Sequence, residues 1–285
     1  MKNIDMKELS LVILRGVGQI MFQRNALSGA LMLIGLAIGS WWLMLLTLAG
    51  SIAGTLFAKI LGCSEKGISD GLFGYNSALS GLAVGVFFSP SVYSVALFLG
   101  VTIISIYFTV ILGKLKRLPV LTAPFVIATW LMLLAGKIIF PEQFLPSVEI
   151  EMQVEANWVR AFCLNIGQVM FEGNAILTGV FFILGIFVNS RVNAFYAVFG
   201  SVLPLLLGFV LTDLSAFNSG LVGYNAILSA IALGTKSWNG VISAVLAVAM
   251  SVAFQLFGME YGVITLTAPF VVSVWLVCLV RRPSF

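Results

Sequence analysis

Apolar residues run along this chain in long unbroken stretches, and polar positions gather in short clusters between them. In the first half a short run at 9–22 precedes five longer ones, near 26–40, 41–61, 71–88, 93–113 and 118–140. The second half repeats the arrangement at 158–171, then 175–188, 194–212, 220–234, 239–257 and 262–280. A helical bilayer span needs about 20 apolar residues, so the chain has room for about ten spans. The ten-residue alternation of an outer-membrane barrel is missing. The pattern predicts an all-α integral membrane protein with about ten transmembrane helices. Both short runs are about half a span long and end in polar residues, Gln23-Arg24-Asn25 and Glu172-Gly173-Asn174. Interrupted segments at matching places in two halves predict re-entrant half-helices lining a transport path. Interfacial helices lying on the membrane are the alternative.

The chain is written twice. Gly18 to Ala26 (GQIMFQRNA) returns as Gly167 to Ala175 (GQVMFEGNA), 149 positions on, with six of nine residues identical. Gly71 to Ser80 (GLFGYNSALS) returns at the same offset as Gly220 to Ser229 (GLVGYNAILS). Thr122 to Val126 (TAPFV) returns as Thr267 to Val271, now 145 positions on. Three blocks in one order point to an internal duplication. The expected organisation is repeat 1 over 1–140, an extracytoplasmic linker over 141–157 and repeat 2 over 158–285. Five spans per repeat is an odd number, so the second copy is expected to enter from the opposite side as an inverted repeat.

Composition narrows the class. Of 285 residues 60% are apolar and 9% charged, with a mean hydropathy of +1.11. A soluble domain carries about a quarter charged residues, so a cytosolic globule, a nucleic-acid binder and a disordered chain are excluded. The +4 formal charge reports orientation. With both half-helices dipping in and out on one side, Lys2, Lys7, Lys59, Lys66, Lys114, Lys116, Arg117, Arg191, Lys236, Arg281 and Arg282 share the N-terminal side. Lys137 and Arg160 fall opposite, with Glu142, Glu149, Glu151, Glu155, Asp213 and Glu260. Eleven basic residues against two predict cytoplasmic termini and an inner-membrane location. Cys63, Cys163 and Cys278 sit among apolar residues and read as packing residues, not as a disulfide or metal set. Arg15 interrupts the first apolar stretch, so the N-terminus reads as part of the mature chain rather than a signal peptide.

The spans are nearly free of ionisable groups, whereas ion-coupled carriers keep carboxylates or histidines in the membrane. There is no histidine, no nucleophilic triad, no metal-ligand spacing and no phosphate loop, so neither an enzyme nor a cofactor is expected. The intramembrane polar residues are neutral and paired: Gln19 with Gln168, Asn25 with Asn174, Asn76 with Asn225, Thr122 with Thr267. A buried amide without a partner costs a few kcal/mol, so each must be satisfied or wetted. The asparagines read mainly as ties for free backbone groups, and Asp70 and Ser219 as N-caps of the spans that follow them. Pro124 and Pro269, if inside helices, would free the carbonyls of Val120 and Thr265 towards the gap faced by Thr122 and Thr267. Alternatively those threonines cap helices that begin at the prolines. Phe22 and Phe171 follow the glutamines by one turn, and Tyr75 and Tyr224 share helix faces with Leu79 and Leu228. Such stripes are ordinary core packing when alone. Beside symmetric acceptor oxygens they outline a narrow slot for a small, flat, neutral solute bearing N–H donors.

On these blocks the chain resembles the urea transporter family. Leu118 to Phe125 (LPVLTAPF) matches that family's LPxxTxPF signature in full, and Thr265 to Phe270 (TLTAPF) keeps only TxPF. The resemblance covers residues 12–280. It implies a homotrimer with one pore per protomer and passive, channel-like urea permeation through two related sites separated by a constriction. It places side-chain oxygens of Gln19 and Gln168 at the two sites. Phe22, Tyr75 and Leu79 would form one slot, and Val169, Phe171, Tyr224 and Leu228 the other. Thr122 and Thr267 fall in the middle, while Asn25, Asn76, Pro124, Asn174, Asn225 and Pro269 support the pore. Phenylalanine is common in the family at the two tyrosine positions. The other readings are a channel for ammonia, a small amide or water, and an ion-coupled carrier of a polar metabolite.

Overall fold

A computed structural model describes residues 6–115, 117–145 and 155–281. Lys2, Lys116, Glu149, Glu151 and Arg282 of the charge argument, and 146–154 of the expected linker, lie outside them. The first half holds α1 Met6–Gln19, α2 Ala26–Gly39, α3 Trp41–Ile60, α4 Glu65–Ser69, α5 Tyr75–Phe87, α6 Val92–Lys114 and α7 Ala123–Ile139. The second holds α8 Trp158–Gly167, continued by a 3-10 turn Gln168–Met170, then α9 Ile176–Asn189, α10 Arg191–Leu211 and α11 Leu214–Asn218. It ends with α12 Tyr224–Leu233, α13 Trp238–Glu260 and α14 Ala268–Arg281. The described chain is thus all-helical apart from an isolated antiparallel bridge, Phe88 to Phe144.

Helices α3, α6, α10 and α13 are long and apolar enough to cross a bilayer. Their packing suits a lipid surrounding. On α6 the outward stripe is Val95, Leu99, Ile103 and Tyr107, each about half exposed, whereas Thr102, Ser105 and Thr109 are buried. The Thr102 and Thr109 hydroxyls donate to the carbonyls of Phe98 and Ser105, at 2.7 and 2.8 Å. Small hydroxyl residues inside and bulky apolar ones outside is the arrangement membrane helices use, since lipid gives no hydrophobic drive for helix pairing. Two glycines let helix backbones come close. A Cβ at Gly29 would overlap the Leu14 carbonyl, and one at Gly179 the Cys163 carbonyl. These positions press α2 onto α1 and α9 onto α8.

One expectation about helix starts is corrected, and one question the sequence left open is answered. The apolar runs at 71–88 and 220–234 were expected to be spans capped by Asp70 and Ser219. Instead the short helices α4 and α11 end there, Asp70 and Ser219 are their C-terminal caps, and the next helices start only at Tyr75 and Tyr224. The left-handed glycines Gly71 and Gly220, at φ +77° and +73°, force the break. Likewise α7 and α14 start at Ala123 and Ala268, so Pro124 and Pro269 occupy first turns. A first-turn proline removes no helical hydrogen bond; the Thr265 carbonyl still accepts from the Ala268 N–H at 3.0 Å.

The chain forms two compact units, Met1–Leu115 with Ala123–Ser147, and Lys116–Thr122 with Val148–Phe285. They follow the two halves, except that the segment carrying Pro119 and Thr122 belongs to the second. There the Trp275 indole N–H donates to the Pro119 carbonyl at 2.8 Å. Cys63, Cys163 and Cys278 are free thiols. Cys63, in the turn between α3 and α4, packs on Val12, Ala58 and Ile68, and burial pushes its thiol pKa up.

Candidate functional site

In the first unit α1 ends at Gln19 and the chain reverses through Phe22. The Phe22 N–H donates to the Gln19 carbonyl at 3.0 Å and the Gln23 N–H to the Gly18 carbonyl at 2.9 Å. This paired closure normally places glycine at the left-handed position, as this chain does at Gly62, Gly71 and Gly262. At the end of α1 that position is Phe22, φ +63°. The second unit copies it: Phe171 has φ +58°, with Phe171 N–H to Gln168 O and Glu172 N–H to Gly167 O, both at 3.1 Å. A second such pair is Leu121 and Leu266, both at φ +49°, each directly before a repeated threonine. These are the four left-handed non-glycines among the described residues. Each costs about 1–2 kcal/mol relative to a right-handed conformation. Strain of this kind gathers at functional sites.

The two glutamines are held alike. The Gln19 side-chain amide donates to the Asp70 carbonyl at 2.9 Å, and that of Gln168 to the Ser219 carbonyl at 3.0 Å. Each bond fixes the NH2 end. Neither side-chain oxygen meets a donor among the described residues, and both glutamines are partly accessible. Phe22, Phe171 and Tyr75 are also partly accessible, whereas Leu79, Val169 and Leu228 are closed off at 0, 1 and 1% exposure.

Asn76 and Asn225 do tie off backbone, but on another helix. The Asn76 Oδ1 accepts from the Phe125 N–H at 3.3 Å, and Asn225 Oδ1 from the Phe270 N–H at 3.1 Å. Each satisfies a free donor in the first turn of the last helix of its half. Asn25 and Asn174 part company. Asn25 is the N-cap of α2 and accepts from Leu27 and Ser28 N–H at 2.8 and 3.1 Å. Helix α9 begins one residue later relative to the repeat, so Ala175 takes the cap position and Asn174 cannot. Here Glu172 works instead. Fully buried, it accepts from the Asn174 N–H at 2.8 Å through Oε1, while its Oε2 meets no donor among the described residues.

Within the second unit Thr122 and Thr267 meet. Both are 3% exposed, and their hydroxyl oxygens lie 2.6 Å apart. One hydroxyl donates and the other keeps its lone pairs, so the pair still holds acceptor capacity. Tyr224 does not add a hydroxyl to the wall: its O–H donates to the Leu266 carbonyl at 2.8 Å, with Thr265 Oγ1 at 3.1 Å.

Several residues around the site escaped the sequence reading. Gln255, on α13, accepts from Asn225 Nδ2 at 3.0 Å and Thr265 Oγ1 at 2.8 Å, and donates to the Leu221 carbonyl at 3.0 Å. Asn165, on α8, accepts from the Gly223 N–H at 3.0 Å. With α6 and α13 aligned end to end Gln255 matches Thr109, and at the 149-residue offset Asn165 matches Gly16. A search for matched polar pairs passes over them; a lone amide in an apolar run was the available signal. Among the described residues no group of ionisable side chains could hold a metal ion.

The urea transporter family model matches residues 11–282. Similar proteins are urea transporter 1 of Rattus norvegicus, 30% identical over 238 residues, and urea transporter 1 of Mus musculus, 29% identical over 238. Each alignment covers 78% of this chain and 62% of the relative. Urea transporter 1 of Ovis aries is 28% identical over 239 residues, with the same coverage. The chain thus spans 62% of the length of these relatives. The matched region takes in all three repeated blocks, both glutamine anchors and the threonine pair, and on that basis the chain belongs to the urea transporter family.

Proposed function

We infer that the chain conducts urea passively across a membrane, with one binding site in each half. The observation that carries this reading is the duplicated glutamine anchor. In both halves the amide nitrogen is fixed to a loop carbonyl and the oxygen meets no donor among the described residues, three residues before a left-handed phenylalanine. Urea is planar, neutral and rich in N–H donors. A fixed acceptor oxygen replaces part of its lost hydration, and aromatic faces contact its plane. Phe22, Tyr75 and Leu79 line the first slot; Val169, Phe171, Tyr224 and Leu228 line the second; Thr122 and Thr267 form the constriction. The wall side chains named are all neutral, so a dipolar solute can desolvate against them while an ion, with nothing to balance it there, is rejected.

The same reading includes ten spans with two re-entrant half-helices, an inverted repeat, a homotrimer and an inner-membrane location with cytoplasmic termini. Its support is the five long apolar runs per half, an odd number, the bias of basic residues to one side and the family resemblance. Stopped-flow light scattering of proteoliposomes after a urea jump tests the function. Rapid urea entry that saturates weakly and ignores proton and sodium gradients is the expected result. Flux that requires either gradient overturns it, and flux of ammonia or water without urea overturns the choice of solute.

A further inference from the structure

The two glutamine anchors share one bond but differ in what holds the carbonyl at its other end. In the first unit Ser69 and Asp70 close α4. The Ser69 carbonyl accepts from the Arg15 guanidinium at 3.0 Å, and the Asp70 carbonyl from Gln19 at 2.9 Å. Arg15 and Gln19 are four residues apart, on one face of α1. The Asp70 carboxylate in turn forms an ion pair with Arg24, just beyond the Phe22 turn. Asp70 is 6% exposed, whereas the Arg24 side chain is 60% exposed. So α1 and its following turn grip two consecutive residues at three points. In the second unit the matching positions are Leu164, Gly173 and Ser219. Only the glutamine bond survives, and the Ser219 hydroxyl turns back to the Ala216 carbonyl at 2.9 Å.

We propose that Arg24 and Asp70 are positioning residues for the Gln19 acceptor, an ionic brace that the Gln168 site lacks. This rests on Gln19 being a urea contact. The brace ties the turn carrying Phe22 to the loop carrying the Asp70 carbonyl, and so fixes the side-chain oxygen between them. Without it the Gln19 amide follows a loop free to shift, and the oxygen loses its aim. The Gln168 site, already without such a brace, is unaffected.

The test compares urea permeability of proteoliposomes holding wild-type protein, Arg24→Ala, Asp70→Asn and Arg24→Lys, each also in Gln19→Ala and Gln168→Ala backgrounds. Arg24→Ala and Asp70→Asn are expected to lower permeability about threefold, the scale of a partly exposed ion pair, with Arg24→Lys close to wild type. In the Gln19→Ala background the same changes should have no further effect, while in Gln168→Ala the threefold loss should persist. A merely structural ion pair would lower flux by the same factor in both backgrounds, and that result overturns the proposal. So does unchanged flux in Arg24→Ala and Asp70→Asn. Wild-type flux in Gln19→Ala alone removes Gln19 from the site and overturns both readings. That outcome is visible before the brace is tested.

Discussion

Replacing Phe22 by glycine and by alanine separates backbone strain from the wall it supports. At φ +63° an L-residue bears about 1–2 kcal/mol that glycine largely escapes. The half-buried ring returns about 0.8–1.5 kcal/mol, half of the value for a fully buried phenylalanine. Phe22→Gly should therefore leave stability within about 1 kcal/mol of wild type, because the two terms offset. Phe22→Ala keeps the left-handed cost and loses the ring, so it should be less stable than Phe22→Gly by about 1 kcal/mol. Both should relax selectivity, admitting N-methylated ureas and larger amides in proteoliposome flux. Gly62 supplies the control. It sits at φ +67° in the same kind of turn, and a Cβ there would have nothing within 4 Å. Gly62→Ala should cost about 1 kcal/mol and leave selectivity alone. Denaturation in detergent gives stability, and the ratio of methylurea to urea flux gives selectivity. Equal stability of the glycine and alanine variants would refute the strain argument. Unchanged selectivity in both would refute the wall.

Gln19→Leu or Gln168→Leu removes an acceptor worth about 0.5–1.5 kcal/mol to a bound N–H, so urea flux should fall about two- to tenfold, measured by stopped flow at matched protein content. Thr122→Val with Thr267→Val removes both buried hydroxyls without changing shape much; flux should drop by a similar factor while melting temperature changes little, and retained flux would take the pair out of the path. Glu172→Gln should raise the melting temperature by supplying a donor where Oε2 has no partner among the described residues, an arrangement costing about 1–3 kcal/mol. Gln23, at the matching place in the first half, donates such a bond to the Met21 carbonyl at 2.5 Å.

Much of the layout was legible because the bilayer imposes it. Long apolar runs mark helices whatever their neighbours, and the two copies mark matched polar residues. Helix starts were less legible. Tyr75 and Ala123 begin helices several residues inside their apolar runs, because left-handed Gly71 and Leu121 break the backbone. Hydropathy does not register such a turn. The roles of paired residues were legible only where both copies keep the same local register. One extra residue before α9 separates Asn174 from Asn25, although the letters match. The Arg24–Asp70 pair and Gln255 join residues far apart in the chain, and the other copy has different residue types at the matching positions. Repetition, the strongest signal in the sequence, is blind to both.

The central claim is that two glutamine side-chain oxygens are the fixed acceptors for the permeating solute. A structure of the protein soaked in a heavier urea analogue tests it most directly. Analogue density beside the side-chain oxygens of both Gln19 and Gln168, within hydrogen-bond distance and flat against Phe22 and Phe171, is the predicted result. Analogue bound elsewhere, with both oxygens facing protein donors, would contradict it.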